Sequence, residues 1–294
     1  MNDSLMLIER MDAISPELKA LLREYRPFTQ LGCVTVSGDS FSYRLLEQFK
    51  RTAAGADPYQ DAKLAFVIGW VSHRACDRVM KVIWKEAQFK GRGTDVDPNI
   101  SPYECSVYHE GEAYRRYFTG DDDYRLALFE DDMNAFAADM DLRQDWAYTL
   151  VQGSYSANLL NIQTIPDDLD DQPRFEELCM RAQKFYVDLA RYRRAISAPV
   201  PEDYEQFVSG INWYDESDPI IDAVRRIRAG ETLTSETITA AVAAPAKSHY
   251  AHALALSMQY IVSANHYLHD PEADMEWLRD KLDIGRLSPE GLAV

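Results

Sequence analysis

The sequence predicts an all-α fold, an irregular multi-helix bundle, and three observations carry that expectation. Gly and Pro are scarce, 13 of each in 294 residues, which works against a turn-rich sheet protein. Helix starts are spelled out by capping residues followed by proline. Apolar residues recur at helical spacing, and the only run that reads as a strand is the short β-branched segment 33–37.

Each element has a local reason. Ser15-Pro16-Glu17 is a helix start. Asp57-Pro58-Tyr59-Gln60 combines an N-cap, a proline at the first helical position and a capping-box glutamine. It opens a helix over 58–89, stopped by Gly91 and Gly93, whose apolar positions include Phe66, Trp70, Val71, Val79, Val82 and Ile83. Ser101-Pro102-Tyr103-Glu104 repeats the grammar and opens a helix over 102–118, ended by Gly120 and the acidic cluster Asp121-Asp122-Asp123. That cluster lacks the glycine and the alternation of a calcium loop and reads as a solvated linker. Further helices are expected over about 123–139, 143–161 and 173–196, with a proline-bounded polar loop at 165–173. After Pro199 and Pro201 come a shorter helix, a helix over 215–229, a turn at Gly230, and an apolar stretch over 234–269 with a start near Ala246. A last amphipathic segment spans 274–282. We expect one helical domain over 1–294, its core motifs in 28–118 and its C-terminal helices, 173–294, packing on them.

Composition excludes some partners. A formal net charge of −17 argues against a nucleic-acid backbone, which demands basic patches, and against an anionic membrane surface. No apolar run approaches the roughly 18 residues needed to span a bilayer. The N-terminal segment has an early acid, Asp3, and no apolar core, so no export signal is expected. Cys33, Cys76, Cys105 and Cys179 lack CxxC spacing, and reduced thiols in a cytoplasm are the expectation. Helical bundles with spare aromatic faces often pair, so a homodimer is a possible state.

Chemistry concentrates at His73 and Asp77, four residues apart and therefore on one face of a helix, within an otherwise apolar stretch. An imidazole and a carboxylate on a buried face need partners, and a divalent metal is one that both can share. Spacing alone is weak. With 6 His and 48 acidic residues in the chain, chance supplies about one such pair, and the chain has a second, His266 with Asp270. A hydrogen-bonded His–Asp pair without metal is the bland alternative. Asp39 follows Gly38 at a helix start, where it reads as an N-cap or a ligand. His109 and Glu112, three apart, share a face with Arg116 one turn on, either as an ordinary surface pair or as a helical-bundle metal pair. Together Asp39, His73, Asp77, His109 and Glu112 form a mixed N/O ligand set suited to zinc or a similar ion. A carboxylate outside the ligand shell, Asp39 or Glu112, would serve as a base.

The ordered segments Phe28-Thr-Gln-Leu-Gly32, Gly38-Asp39-Ser-Phe-Ser-Tyr43, Ala65-Phe-Val-Ile-Gly-Trp-Val-Ser-His73-Arg-Ala-Cys-Asp77 and His109-Glu-Gly-Glu112 resemble the prokaryotic zinc-dependent phospholipase C-like family. The resemblance covers roughly residues 28–118. It implies an all-helical fold shared with single-strand-specific zinc nucleases, hydrolysis of a small phosphate ester, and zinc held by Asp39, His73, Asp77, His109 and Glu112. The chain departs from the family's pattern in having no His before residue 73 and a His-x-x-Glu step, with Ala at 113, in place of His-x-x-x-Glu. The resemblance therefore implies a reduced or decayed site rather than a full three-zinc centre. Two alternatives stand beside it: a non-enzymatic helical scaffold, and a His-Asp-type metal phosphohydrolase centred on His269 and Asp270, in the group that also holds His249, His252 and His266.

Overall fold

The computed structural model describes residues 1–34, 39–52, 60–90, 108–109, 111–113, 116 and 200–283. Every regular element among them is helical, with no strand, so the fold is all-α. In chain order the helices are α1 (Asn2–Ile8), α2 (Pro16–Glu24), α3 (Arg26–Val34), α4 (Asp39–Arg51), α5 (Gln60–Lys90), α6 (Pro201–Tyr204), α7 (Pro219–Arg228), α8 (Ser235–Ala243), α9 (His249–His269) and α10 (Met275–Lys281). A π-helical turn, Glu205–Ser209, follows α6 directly. The helices expected over 123–139, 143–161 and 173–196, and both cysteines beyond residue 100, lie outside the described residues. Cys33 and Val34, of the segment expected as a strand, lie in α3, and its remaining residues, 35–37, lie outside the described residues.

Of the caps read in the sequence, Ser15 acts as read, while Asp57 and Ser101 lie outside the described residues. Ser15 accepts from the amide of Leu18 and starts α2 at Pro16. Thr234, Ser248 and Asp274 cap α8, α9 and α10 through Thr237, Ala251 and Trp277. Two boundaries move. The 215–229 helix begins at Pro219, because Asp215 accepts from the amide and hydroxyl of Ser217 in a local turn. The 234–269 stretch is two helices, and the second begins at His249 rather than near Ala246.

The chain divides into two units, one of residues 1–83 and 214–294, the other of residues 84–213. In the first unit α9 is the central rod and packs on α1, α4, α7, α8 and α10. It is apolar around most of its circumference, with Ala251, Leu254, Met258, Tyr260, Ile261, Ala264 and Tyr267 buried, as a helix enclosed by others must be. Helix α5 buries Ala65, Phe66, Val67, Ile68, Val71, Ala75 and Val79. It meets α9 through Ser72 and Ser257, whose hydroxyl oxygens lie 2.7 Å apart.

Polar side chains fix the register between these helices. Asp3 pairs with Arg228 and accepts from the hydroxyl of Tyr250 at 2.7 Å, joining α1, α7 and α9. The amide of Asn265 holds the start of α2, accepting from Ser15 Oγ at 2.9 Å and donating to the Ala13 carbonyl at 3.1 Å. Asp218, wholly buried, accepts from Lys247 N (2.6 Å), Ser248 N (2.9 Å) and Ser248 Oγ (2.7 Å). It thereby ties the start of α7 to the start of α9. Replacing Asp218 with Ala strands the buried amide of Ser248 and the part-buried amide of Lys247, and urea unfolding should show a loss of about 3 kcal/mol; a loss under about 1 kcal/mol contradicts the assignment.

Candidate functional site

Two successive turns of α5, residues 72–78, carry the polar residues of interest in the first unit. His73 Nδ1 lies 2.8 Å from the backbone carbonyl of Cys33 in α3. A carbonyl can only accept, so Nδ1 carries the proton there. The other nitrogen, Nε2, faces Asp77 Oδ1 at 3.7 Å, with the imidazole and carboxylate side chains 21% and 12% exposed. In the neutral ring the single proton is spent on Cys33, and Nε2 presents a lone pair toward a carboxylate. A proton or a cation between them reconciles the two acceptors, and a metal-binding histidine is commonly oriented by such a backbone carbonyl.

The next residue explains the anchoring of this turn. Arg74 is 2% exposed, and its guanidinium donates through Nε to the carbonyl of Leu282 and through Nη2 to that of Asp283, both at 2.8 Å. Asp283 adopts a left-handed backbone at φ 53° and accepts from Tyr260 Oη at 2.9 Å. Its carboxylate also lies 3.8 Å from the guanidinium of Arg78. A buried cation is tolerated because main-chain dipoles at the end of α10 surround it. The sequence shows Arg74 only as a neighbour of His73.

Cys76, one turn beyond His73, and Cys33 remain thiols. Burial, then the nearby thiol of Cys33, pushes Cys76 up to about 12. Burial also raises the phenols of Tyr250 and Tyr260, helped by Asp3 and Asp283 respectively. Asp39 is the first residue of α4. Its side chain lies outside the described part of the structure.

His109 and Glu112 belong to the second unit, where each has partners at hand. Both are 3% exposed. His109 Nε2–H donates to the carbonyl of Phe207 at 2.6 Å, within the π-helical turn, and its ring stacks on Trp213 with centroids 3.9 Å apart and planes 8° from parallel. Glu112 accepts from Arg116 Nε at 2.6 Å on one oxygen and from Tyr204 Oη at 3.0 Å on the other. Tyr108 Oη accepts from the amide of Val200 at 3.2 Å and donates to Asp203 Oδ2 at 3.3 Å. Nothing in the sequence announces the π-helical turn or the Trp213 stack.

The C-terminal histidines lie on α9 or at its end. His269 Nδ1–H donates to the carbonyl of Asn265 at 2.8 Å, and His266 Nε2 stands 3.1 Å from Asp270 Oδ2 with its side chain 51% exposed.

As a test of fit for zinc, His73 and Asp77 are a serviceable half of a site: one oriented nitrogen and one carboxylate on a single face. Glu112 and His109 Nε2 are engaged with protein groups. Among the described residues, no three His, Cys, Asp or Glu side chains stand close enough together to hold an ion. Among the same residues no helix is long and apolar enough to cross a membrane. Compared with protein-family models, with curated proteins and with solved structures, the chain matches none.

Unfolding measurements test both units. The folded chain holds the Cys76 proton up to about pH 12, whereas an unstructured thiol gives it up near 9. The unfolded state therefore binds fewer protons in that window, and the urea midpoint should fall as pH rises from about 9 toward 12; a flat profile contradicts the burial of this thiol. His109→Phe keeps a ring against Trp213 but strands the Phe207 carbonyl, and should cost about 1–3 kcal/mol in the same assay.

Proposed function

We propose that this chain is a helical protein with metal-dependent phosphoester hydrolase chemistry, its ion held by His73 and Asp77. One observation carries the reading: the Cys33 carbonyl takes the Nδ1 proton of His73, which leaves Nε2 turned to Asp77 at 3.7 Å. That is how a histidine ligand is presented, with the non-binding nitrogen fixed by a carbonyl. Asp39, on α4 of the same unit, is the third candidate ligand or the base that takes a proton from the attacking water. A divalent ion, when bound, supplies Lewis-acid polarisation of a phosphoryl oxygen. Such chemistry is what the resemblance to zinc-dependent phospholipase C-like proteins implies. The charge of −17 favours a small phosphate ester over a polyanion.

A second reading, a non-enzymatic helical scaffold, draws on the second unit. There, Glu112 and His109 are occupied by Arg116, Tyr204 and the Phe207 carbonyl, as structural polar groups are.

Purified chain loaded with zinc and dialysed should retain metal by elemental analysis and hydrolyse bis(p-nitrophenyl) phosphate. His73→Ala and Asp77→Ala should lower zinc affinity about tenfold or more and abolish turnover with the helical content retained, while His269→Ala leaves both unchanged. Absence of zinc from the loaded protein overturns the proposal. If His73→Ala lowers only the melting temperature, the scaffold reading stands. Loss of metal on His269→Ala would point to the His-Asp centre instead.

A further inference from the structure

The carbonyl of Cys33, in α3, accepts the Nδ1 proton of His73 at 2.8 Å. The nearest polar group on α5 is brought to it by an unusual crossing. A Cβ built on Gly32 would lie 2.0 Å from the carbonyl oxygen of Phe66, and one built on Gly69 would lie 2.0 Å from that of Thr29. Each clash is with main chain, so neither can be relieved by a side-chain rotation. In glycine that direction holds only hydrogen, and each contact becomes a Cα–H directed at the opposite carbonyl. The pair is reciprocal, as in close crossings built from small residues. The same Gly69 position sits 3.0 Å from the amide nitrogen of Cys33, and His73 is one turn further along that face.

We infer that Gly32 and Gly69 are positioning residues for His73: by letting α3 and α5 touch at backbone distance, they deliver the Cys33 carbonyl to Nδ1–H and so decide that Nε2 faces Asp77. A methyl group at either glycine separates the helices and releases the ring. The functional meaning of this device rests on the proposed metal pair, but its geometry does not.

The experiment is NMR of the protein labelled with 15N and 13C in histidine, on the full chain, with and without zinc. The wild-type ring of His73 should carry its proton on Nδ1, the reverse of the form free histidine prefers in water. In Gly69→Ala, with a native circular dichroism spectrum, the resonances should move toward the Nε2–H form, and zinc affinity should fall at least tenfold. A wild-type ring protonated on Nε2 overturns the inference, as does a folded Gly69→Ala with unchanged resonances. Should that variant fail to fold, His73→Asn and His73→Gln decide. The amide nitrogen of Asn falls where Nδ1 is and that of Gln where Nε2 is, so Asn should keep the wild-type melting temperature and Gln should lose several degrees. Equal losses overturn the inference. If wild type takes up no zinc, the metal reading fails while the tautomer readouts still decide this one.

Discussion

Helix α5 buries Ser72, Arg74 and Asp77, with His73 mostly covered beside them, and a buried polar group without a partner costs free energy comparable to a lost hydrogen bond or more. That constraint organises the first unit. Ser72 is partnered on α9, His73 on α3, and Arg74 on the residues that close α10. Few alternative arrangements of the same helices would satisfy all of them together. The apolar face of α5 supplies the bulk of the burial, while its polar residues select the register at which α3, α9 and α10 dock.

Backbone carbonyls dominate as acceptors in this scheme. Leu282 and Asp283 lie just after the last turn of α10, where carbonyls are left over and the helix dipole is negative. The guanidinium of Arg74 on α5 is thereby matched to a helix end, and the Nδ1–H of His73 to a carbonyl of α3. The same economy appears at the end of α9, where Lys50 donates to the carbonyls of Asp270 and Ala273 and lies over the ring of Tyr267.

The two units treat their histidines differently. In the first, Nδ1 of His73 is committed and Nε2 is turned to a carboxylate. In the second, Nε2 of His109 is committed to Phe207, the ring is stacked on Trp213, and Glu112 is divided between Arg116 and Tyr204. The spacing His-x-x-x-Asp and the spacing His-x-x-Glu are equally compatible with ligands on one helix face, yet their surroundings give them unequal readiness for an ion. This is why the proposed chemistry is centred on His73 and Asp77.

Helix class and several starts were legible in the sequence because their causes are local. Ser15 caps its own helix through the amide of Leu18, three residues on. The His73–Asp77 face was legible for the same reason, since four residues make one turn. What the sequence by itself could not determine is decided by contacts between segments far apart along the chain. The start of α9 at His249 depends on Asp218 holding Ser248 from thirty residues away. The role of Gly69 depends on a carbonyl forty residues earlier, and the tautomer of His73 on another at the same remove. Local periodicity names which residues share a face. Only the packing of one helix on another assigns each polar atom its partner, because hydrogen bonds and close contacts are set by distance in space and carry no record in sequence spacing.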